Sequence, residues 1–455
     1  MQGEDRANFG SKLGAILAAA GSAVGLGNVW RFPYEAGNQG GAAFILIYLG
    51  CVFLFGLPIM IAEFIIGRHS KASTGESYAT LAPGTQWKWV GYLGVLTGFC
   101  ILGYYVVVAG WTLEYILQAI LGGFNGKTPQ EFISMFNEFS QSPLRPLLWM
   151  AIFTLGTHFI IVKGVKKGIE RSSKVLMPVL FVLIVLLAIC SMTLPNANKG
   201  IEFLLLPDFS KVDGDVFLGA MGQAFFSMSL GMGCLSTYAS YFGRDTRLGN
   251  TAISVGVIDC FVAILAGLII FPAAFSAGIQ PDAGPSLIFI TLPNVFQQAF
   301  GSMPVLAAIF SVAFYVLLAM AALTSTISLH EVPTAFLHEK FGLTRGKAAR
   351  VVTVGILLVG TASSMAMGDW SGFTIFGMNI FDLLDFMTAK VMLPVGGFFA
   401  SIFVGWWLDR AIVRDEVTNE GTLKAAYYPV FIFLLKYIVP IGLLAIFLNE
   451  LGLFG

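Results

Sequence analysis

Long apolar stretches dominate this sequence, and they leave few folds open to it. A helix that spans a membrane needs about 20 predominantly apolar residues. About eleven stretches meet this requirement, and they cover approximately residues 12–36, 42–68, 88–122, 146–162, 170–193, 215–242, 249–276, 302–337, 348–367, 374–408 and 425–449. Only 11% of the residues are charged, whereas soluble domains carry roughly a quarter. We therefore predict an all-α polytopic membrane protein with a single transmembrane domain over residues 1–455.

The placement of Lys and Arg predicts the topology. With a cytoplasmic N-terminus, most basic residues fall in cytoplasmic loops, and the outside loops carry only Lys127, Arg145, Lys199 and Lys211. The positive-inside rule describes this asymmetry, and an odd number of spans then places the C-terminus outside. Residues 1–12 are polar and no cleavage pattern follows, so we do not expect a signal peptide. Segment 277–301 is too polar and proline-rich to span, and we expect an outside loop with a short capping helix. The expected location is the plasma (inner) membrane.

Two spans contain glycine-rich segments near the bilayer middle. The first has GSAVGLGN over residues 21–28, and the sixth has SMSLGMG over residues 227–233. Each interior glycine weakens a helix by about 1 kcal/mol relative to alanine. Close packing of small residues would explain one such segment. Two breaks that lie five spans apart instead indicate inverted repeats, because paired broken helices are typical of transporter sites for carboxylates and Na⁺. The repeats would cover about 12–193 and 215–408, with an extra helix at about 425–449.

Several polar residues lie within the spans, where charges are costly and usually functional. Arg31 follows the first break, and Asp382 and Asp385 lie in the outer half of the tenth span, so an Arg–carboxylate pair could form an outer gate. A static ion pair between two helices is the alternative. Glu63 could bond the free amides of the broken sixth helix. Asp259 has no basic neighbour in sequence, which indicates either a bound cation or a protonated, hydrogen-bonded acid.

Hydroxyl groups in the eighth span are further candidates. They are Thr324, Ser325, Thr326 and Ser328. These hydroxyls would ordinarily bond back to their own helix, but beside a broken helix they become plausible ligands of a hard cation. The aromatic pair Tyr104 and Tyr105 and the ring of Phe226 would ordinarily be part of the core. A buried Tyr hydroxyl needs a partner, and the carboxylate of a substrate would be one.

Together these features resemble the neurotransmitter:sodium symporter family, the LeuT-like transporters. The matching segments are GSAVGLGNVWRFP (21–33), GGAAF (40–44), KGIE (167–170), GQAFFS (222–227), SLG (229–231) and TYASY (237–241). The similarity extends from residue 6 to about 449. It implies the five-plus-five inverted repeat with helices 1 and 6 broken at the midplane. About 11 helices in all are typical of a bacterial subgroup of amino-acid symporters, which are not enzymes and use no organic cofactor.

The resemblance also implies where Na⁺ and the substrate bind. Two Na⁺ ions are expected. Sodium site one would comprise Ala23, Asn28, Ser227 and Asp259. Sodium site two would comprise Gly21, Val24, Ala321, Thr324 and Ser325. The substrate would contact Ala23, Leu26, Gly27, Ile101, Tyr105, Val108, Phe226, Ser227, Ser229, Met232, Ser325, Ser328 and Leu329. The outer gate would be Arg31 with Asp385. The inner gate would be Arg6 with Glu339, braced by Phe9 and Tyr241.

Two departures from the family pattern bear on specificity. Asp259 stands where members commonly have asparagine, and Ala263 stands where the chloride-dependent animal members have serine. A fixed carboxylate beside Na⁺ would replace the charge of chloride, so we predict chloride-independent transport. Met232 occupies a position that is often aromatic, and its flexibility would admit bulky apolar side chains. Hydrophobic or aromatic L-amino acids, including Trp, Tyr, Phe and Leu, are therefore the expected substrates.

Other function classes fit less well. A proton-coupled transporter of the same fold would not need the Thr324 and Ser325 pair. An intramembrane enzyme would need a nucleophile or a metal set at membrane depth, which the chain's histidines do not provide; these are His69, His158, His330 and His338. A channel would need a continuous polar pore, and nothing indicates a nucleic-acid partner. An amino-acid sensor that does not transport stays open, as do the preferred amino acid, the Na⁺ stoichiometry and the oligomeric state.

Overall fold

The computed structural model describes residues 7–278, 287–300 and 303–450. The first predicted span consists of two helices, α1 (Lys12–Ala23) and α2 (Gly27–Asn38), which are bent by 50° at their junction. The remaining helices follow in chain order: α3 (Ala42–Ser70), α4 (Thr74–Leu81), α5 (Lys88–Ile120), α6 (Pro129–Ser140), α7 (Arg145–Val162), α8 (Val165–Met192), α9 (Ala197–Leu205), α10 (Gly214–Ser227), α11 (Cys234–Ala239), α12 (Leu248–Ala277), α13 (Leu292–Ala299), α14 (Pro304–Phe341), α15 (Arg345–Met365), α16 (Ile380–Trp407), α17 (Arg410–Thr418) and α18 (Tyr428–Asn449).

The helices match the predicted spans closely. Within the described residues, nine helices are long and apolar enough to cross a membrane, and the bent pair of α1 and α2 makes ten. The predicted span 215–242 consists of α10 and α11, which are separated by residues 228–233. Each half is too short to cross alone. The predicted boundaries shift at two places: α8 begins earlier, at Val165, and α16 begins later, at Ile380.

The backbone explains why the sixth span is broken. Gly231 and Gly233 have φ angles of 80° and 78°, and Ser229 between the helices has φ 55°. A right-handed helix cannot continue through this left-handed region. A side chain at Gly231 would also collide with the carbonyl oxygen of Leu393. The glycine thus allows α16 to pack directly against unwound backbone.

Burial distinguishes central helices from peripheral ones. In the most apolar windows of α3 and α5, 67% of the residues are buried inside the protein, against 33% in α7 and α8. Beyond the charged residues near their N-terminal ends, α7 and α8 expose mainly apolar side chains, as a lipid-facing surface requires. The long helix α14 packs along α5, and α1 packs against α8, α12 and α14. The helix before the first break therefore borders one peripheral helix, α8, and two more buried ones, α12 and α14.

The loop predicted at 277–301 is only partly described. Residues 279–286 and 301–302 lie outside the described residues. The part that is described contains the short helix α13, preceded by the turn Leu287–Thr291. Phe289 in this turn stacks on Phe136 of α6, with ring centroids 6.0 Å apart. The expected short helix is present and the segment is anchored to the neighbouring loop helix.

Candidate functional site

The predicted residues of sodium site one lie together inside the protein. Asn28 Nδ2 donates to Ser227 Oγ at 3.0 Å and to Asp259 Oδ1 at 2.7 Å. The Ser227 hydroxyl lies 2.8 Å from the second carboxylate oxygen of Asp259. Asn28 and Asp259 are both 0% exposed. Ala23, the last residue of α1, immediately precedes the break and is also buried. One cluster thus joins the first break to α10 and α12.

Tyr48 is a member of this cluster that the sequence did not reveal. Its hydroxyl donates to Asp259 Oδ2 at 3.0 Å and is buried. All the hydrogen-bond partners of the Asp259 side chain in the described residues are neutral donors. An ionised carboxylate in an apolar interior is costly without a counter-charge. Oxygen donors around such a carboxylate suit a hard cation, so these residues fit Na⁺.

The predicted residues of sodium site two are also brought together. Thr324 Oγ1 donates to Ala321 O at 2.9 Å and lies 3.3 Å from Val24 O. Ser325 Oγ is 3.5 Å from the same Val24 carbonyl. Gly21 packs on this group, because a Cβ there would lie 3.3 Å from the Thr324 Cβ. The break in the first span and helix α14 therefore share a set of neutral oxygen atoms.

An amide and a phenol meet where the substrate carboxylate was predicted to bind. The backbone N–H of Leu26 donates to Tyr105 Oη at 3.2 Å. Gly27, the next residue, lies against the Phe226 ring, and a Cβ there would be 3.2 Å from the ring's Cε1. Backbone amides freed at a helix break carry partial positive charge and attract anions. This wall can therefore receive a carboxylate.

A cavity of about 340 Å³ opens above this wall. Five of the predicted substrate residues line it, namely Leu26, Gly27, Tyr105, Val108 and Phe226. The others are buried and are not on its wall: Ala23, Ile101, Ser227, Ser229, Met232, Ser325, Ser328 and Leu329. Ser229 Oγ donates to the carbonyl of Ser22 at 2.8 Å, so the two broken spans touch each other directly. The cavity and the breaks form one continuous candidate site.

The outer gate residues line the same cavity. Arg31 forms its ion pair with Glu35 at 3.6 Å, and its guanidinium lies 4.6 Å from the centre of the Phe226 ring. Asp385 lines the cavity as well. The ion pair of Arg31 is therefore with Glu35, one helical turn away, instead of Asp385. The Arg31–Asp385 gate remains a prediction for a more closed state.

The opposite end of the site is closed by a network that the sequence only partly indicated. Arg6 lies outside the described residues, so its predicted pair with Glu339 is not described. Tyr241 donates its hydroxyl to Glu331 Oε1 at 2.6 Å, and Arg345 binds the same carboxylate through both oxygens at 2.9 and 2.5 Å. Phe9 donates its backbone N–H to Tyr241 O at 3.0 Å. This bond holds Phe9 next to Tyr241, beneath the site.

Glu339 and Glu63 both bond backbone amides. Glu339 Oε2 accepts from the N–H of Ser73 at 2.7 Å. Glu63 Oε1 accepts from the N–H of Gly231 at 2.7 Å, in the unwound part of the sixth span. The role proposed for Glu63 is therefore observed. Its carboxylate stabilises amides that the helix break leaves without an intrahelical partner.

Two broken spans that converge on a buried cluster of oxygen donors define a secondary transporter. The chain belongs to the sodium:neurotransmitter symporter family, whose model matches residues 6–128 and 130–454. It is 37% identical to an uncharacterized sodium-dependent transporter, YhdH, of Bacillus subtilis over 98% of both chains. It is 25% identical to the human sodium- and chloride-dependent GABA transporter 2, over 98% of this chain and 80% of that protein.

A solved structure supports the fold directly. The crystal structure of MhsT in complex with L-phenylalanine superposes with a TM-score of 0.89 at 45% identity, covering 98% of this chain and 100% of that one. The predicted LeuT-like fold is therefore confirmed. The protein is a multi-pass, sodium-dependent membrane transporter of this family and not an enzyme.

Proposed function

We propose that this protein is a symporter that couples Na⁺ entry to the uptake of hydrophobic and aromatic L-amino acids, independently of chloride. Transport proceeds by alternating access to the site between the two broken spans. The plasma membrane is its location, with the N-terminus cytoplasmic and the C-terminus outside. Two five-helix repeats, about 12–193 and 215–408, move relative to each other during transport.

The observation that carries this proposal is the wall formed by the Leu26 amide and the Tyr105 hydroxyl. Gly25 precedes it, and a Cβ there would lie 2.5 Å from Ser325 Oγ and 3.2 Å from the Tyr105 hydroxyl. No side chain fits at this position without displacing one of those groups. Among the described residues no carboxylate bonds the Leu26 amide and Tyr105 hydroxyl pair, so we infer that the substrate supplies one.

The predicted side-chain pocket supports an apolar substrate. Its residues are Ile101, Val108, Phe226, Met232, Ser328 and Leu329, none of which carries a charge. A charged side chain in such surroundings would lose its hydration without gaining a partner. The related MhsT was crystallised with L-phenylalanine, which is a substrate of the proposed kind.

Two Na⁺ ions would accompany the substrate. The first would bind Ala23, Asn28, Ser227 and Asp259 together with the substrate carboxylate, which couples the two binding events. The second would bind Gly21, Val24, Ala321, Thr324 and Ser325. Each net positive charge that moves inward gains about 2.3 kcal/mol per 100 mV of membrane potential. The buried carboxylate of Asp259 supplies fixed negative charge beside the first ion, which supports independence from chloride.

Gating would follow from the same residues. Substrate that binds under Phe226 brings Arg31 toward Asp385 and closes the outer side. Opening of the inner side then requires Arg6 to leave Glu339 and the Tyr241–Glu331 contact to break. The cavity on one side of the site and the bonded network on the other support an alternation of this kind.

Uptake into proteoliposomes tests the proposal. Radiolabelled L-tryptophan and L-leucine are offered with an inward gradient of Na⁺, K⁺ or choline, and with chloride or gluconate. We expect uptake that needs Na⁺, ignores chloride and exceeds that of glutamate, lysine and glycine. Tyr105→Phe should reduce substrate affinity about tenfold through the lost hydrogen bond to a charged group. Tyr115→Phe is the matched control, because Tyr115 is buried in the same helix and does not line the cavity.

The other outcomes separate the alternatives. Uptake driven by a proton gradient without Na⁺ would identify a proton-coupled transporter. Saturable binding without uptake would identify a sensor. A strict chloride requirement, or a preference for a charged amino acid, would refute the corresponding part of the proposal.

A further inference from the structure

Polar side chains join three of the spanning helices on a side of α14 that faces away from the candidate sodium sites. We call this group the polar seam. Its members are Thr157 and His158 of α7, Thr326, His330 and Thr334 of α14, and Thr353 of α15. Thr326, His330 and Thr334 follow each other at intervals of four residues, so they lie on one face of α14. The transport mechanism proposed above does not use any of them.

Short hydrogen bonds connect these side chains. The hydroxyls of Thr157 and Thr326 lie 2.9 Å apart. His330 contacts Thr334 Oγ1 through Nδ1 at 3.0 Å and Thr353 Oγ1 through Nε2 at 2.9 Å. Thr326, His330 and Thr334 are all 0% exposed. A buried polar group that loses its partner is costly, so the seam holds its helices in one register.

Thr353 is the central member of the seam. Its Oγ1 lies 2.9 Å from His330 Nε2 and 2.8 Å from His158 Nδ1. A hydroxyl can donate one hydrogen bond and accept two, so Thr353 can bond both imidazoles at once. One side chain of α15 therefore fixes both α7 and α14. Hydrogen bonds of this type between membrane helices contribute modestly to helix association, each by an amount that corresponds to about threefold in an equilibrium constant.

The opposite side of α14 carries the hydroxyls of sodium site two. Thr324 Oγ1 reaches the Val24 carbonyl of the first break at 3.3 Å, and Ser325 Oγ lies 3.5 Å from the same atom. Thr326, the next residue, points to the seam. Successive residues of an α-helix are about 100° apart around its axis. A small rotation of α14 would therefore turn Thr324 and Ser325 away from α1.

We propose that the polar seam sets the rotation of α14 and so positions Thr324 and Ser325 for Na⁺, with Thr353 as its principal positioning residue. The inference rests on sodium site two as proposed above. The side chains of the seam do not touch the ion. They hold α14, the helix that carries Thr324 and Ser325, against α7 and α15.

Binding of radiolabelled sodium to the purified full-length protein, measured by scintillation proximity, tests this role without reference to a substrate. The component of sodium binding that weakens in Thr324→Ala is first assigned to site two. Thr353→Val should weaken that component about three- to tenfold and leave the other component unchanged. Thr353→Ser, which keeps the hydroxyl, should restore binding to within about twofold. Ser311→Ala is the matched control, because Ser311 is buried in α14 and, within the described part of the chain, its hydroxyl bonds its own helix at Ala307 O.

The outcomes are distinct. If Thr353→Val bound sodium as well as the wild type while Thr324→Ala bound it more weakly, the positioning role of the seam would be wrong. Sodium site two itself would still stand. No effect of Thr324→Ala would remove site two itself, and the seam's role with it. Equal weakening of both components would mean a general loss of structure and would also contradict the proposal. If Thr353→Val does not fold, Thr326→Val is used instead, because it removes the hydrogen bond between Thr157 and Thr326. The component of sodium binding assigned to site two must then weaken.

Discussion

The two candidate sodium sites differ in the source of their negative charge. The first contains the buried carboxylate of Asp259, which accepts hydrogen bonds from Asn28, Ser227 and Tyr48. The second contains only neutral oxygens, represented by the Thr324 hydroxyl beside the Val24 carbonyl. Cation affinity rises with the number of charged ligands and with the rigidity of the site. The first site should therefore hold Na⁺ more tightly than the second.

The sites also differ in what anchors them. The first joins the break of one span to α10 and α12 through side chains that bond one another directly. The second depends on the approach of α14 to the unwound backbone after α1. A site formed between two helices is lost when those helices separate. We therefore expect an ion at the first site to serve substrate binding, and an ion at the second site to depend on the conformational state of the transporter.

The largest effect is expected from Asp259→Asn, which removes the fixed charge but keeps the side-chain shape. Breaking a buried charge pair costs about 3 kcal/mol or more, which corresponds to a roughly 100-fold loss of sodium affinity at site one. Radiolabelled sodium binding measures it, with Asp382→Asn as a control, because Asp382 lies outside this cluster and bonds Asn379. Sodium affinity that is unchanged would mean that Asp259 is protonated in the native protein and does not bind the ion.

Thr324→Ala should have a smaller effect because it removes a neutral ligand. The expected loss is about tenfold in the sodium affinity of site two, in keeping with a single hydrogen-bond-sized interaction. Sodium-driven uptake should fall while the high-affinity component of sodium binding is kept. A loss as large as that of Asp259→Asn would contradict the proposed difference between the two sites.

The sequence predicted the spans and the breaks because both depend on local composition. Apolar length identifies a spanning helix regardless of its neighbours. Glycines at the bilayer middle likewise indicate a break, and Gly231 and Gly233 do have the positive φ angles that end a helix. The start of α16 was placed too early, although a local signal existed. Asn379 caps this helix by accepting the N–H of Asp382 at 2.9 Å.

Contacts between distant segments could not be predicted in the same way. Tyr48 and Asp259 are separated by 211 residues, and the sequence around Tyr48 is uniformly apolar. The ion pair that Arg31 does form is local, because Glu35 lies one turn away on the same helix, whereas the predicted gate lies across the cavity. The network of Tyr241, Glu331 and Arg345 joins three segments. Only the tertiary fold brings such residues together.

Gly25→Ala should affect site two and the substrate while sparing site one. The new Cβ would lie 2.5 Å from Ser325 Oγ and 3.2 Å from the Tyr105 hydroxyl. The Ser325 side chain can rotate away, so we expect a loss of about fivefold in the sodium affinity of site two and in substrate affinity. Gly222→Ala is the control, since a Cβ there has open space. If Gly25→Ala instead weakened sodium binding at site one, the result would show that the two sites share one rigid wall.

The smallest effect is expected from Tyr48→Phe, which sharpens the comparison at site one. Its hydroxyl bonds Asp259 Oδ2 at 3.0 Å, but the carboxylate keeps its bonds from Asn28 and Ser227. One lost hydrogen bond of about 0.6 kcal/mol corresponds to a roughly threefold decrease in sodium affinity at site one. The partly exposed Tyr437, changed to Phe, is the matched control. If Tyr48→Phe left the sodium affinity of site one unchanged but lowered that of site two, the Asp259 carboxylate would not explain the difference in affinity between the sites. If it weakened only site one, sodium affinity there would follow the stabilisation of the Asp259 charge.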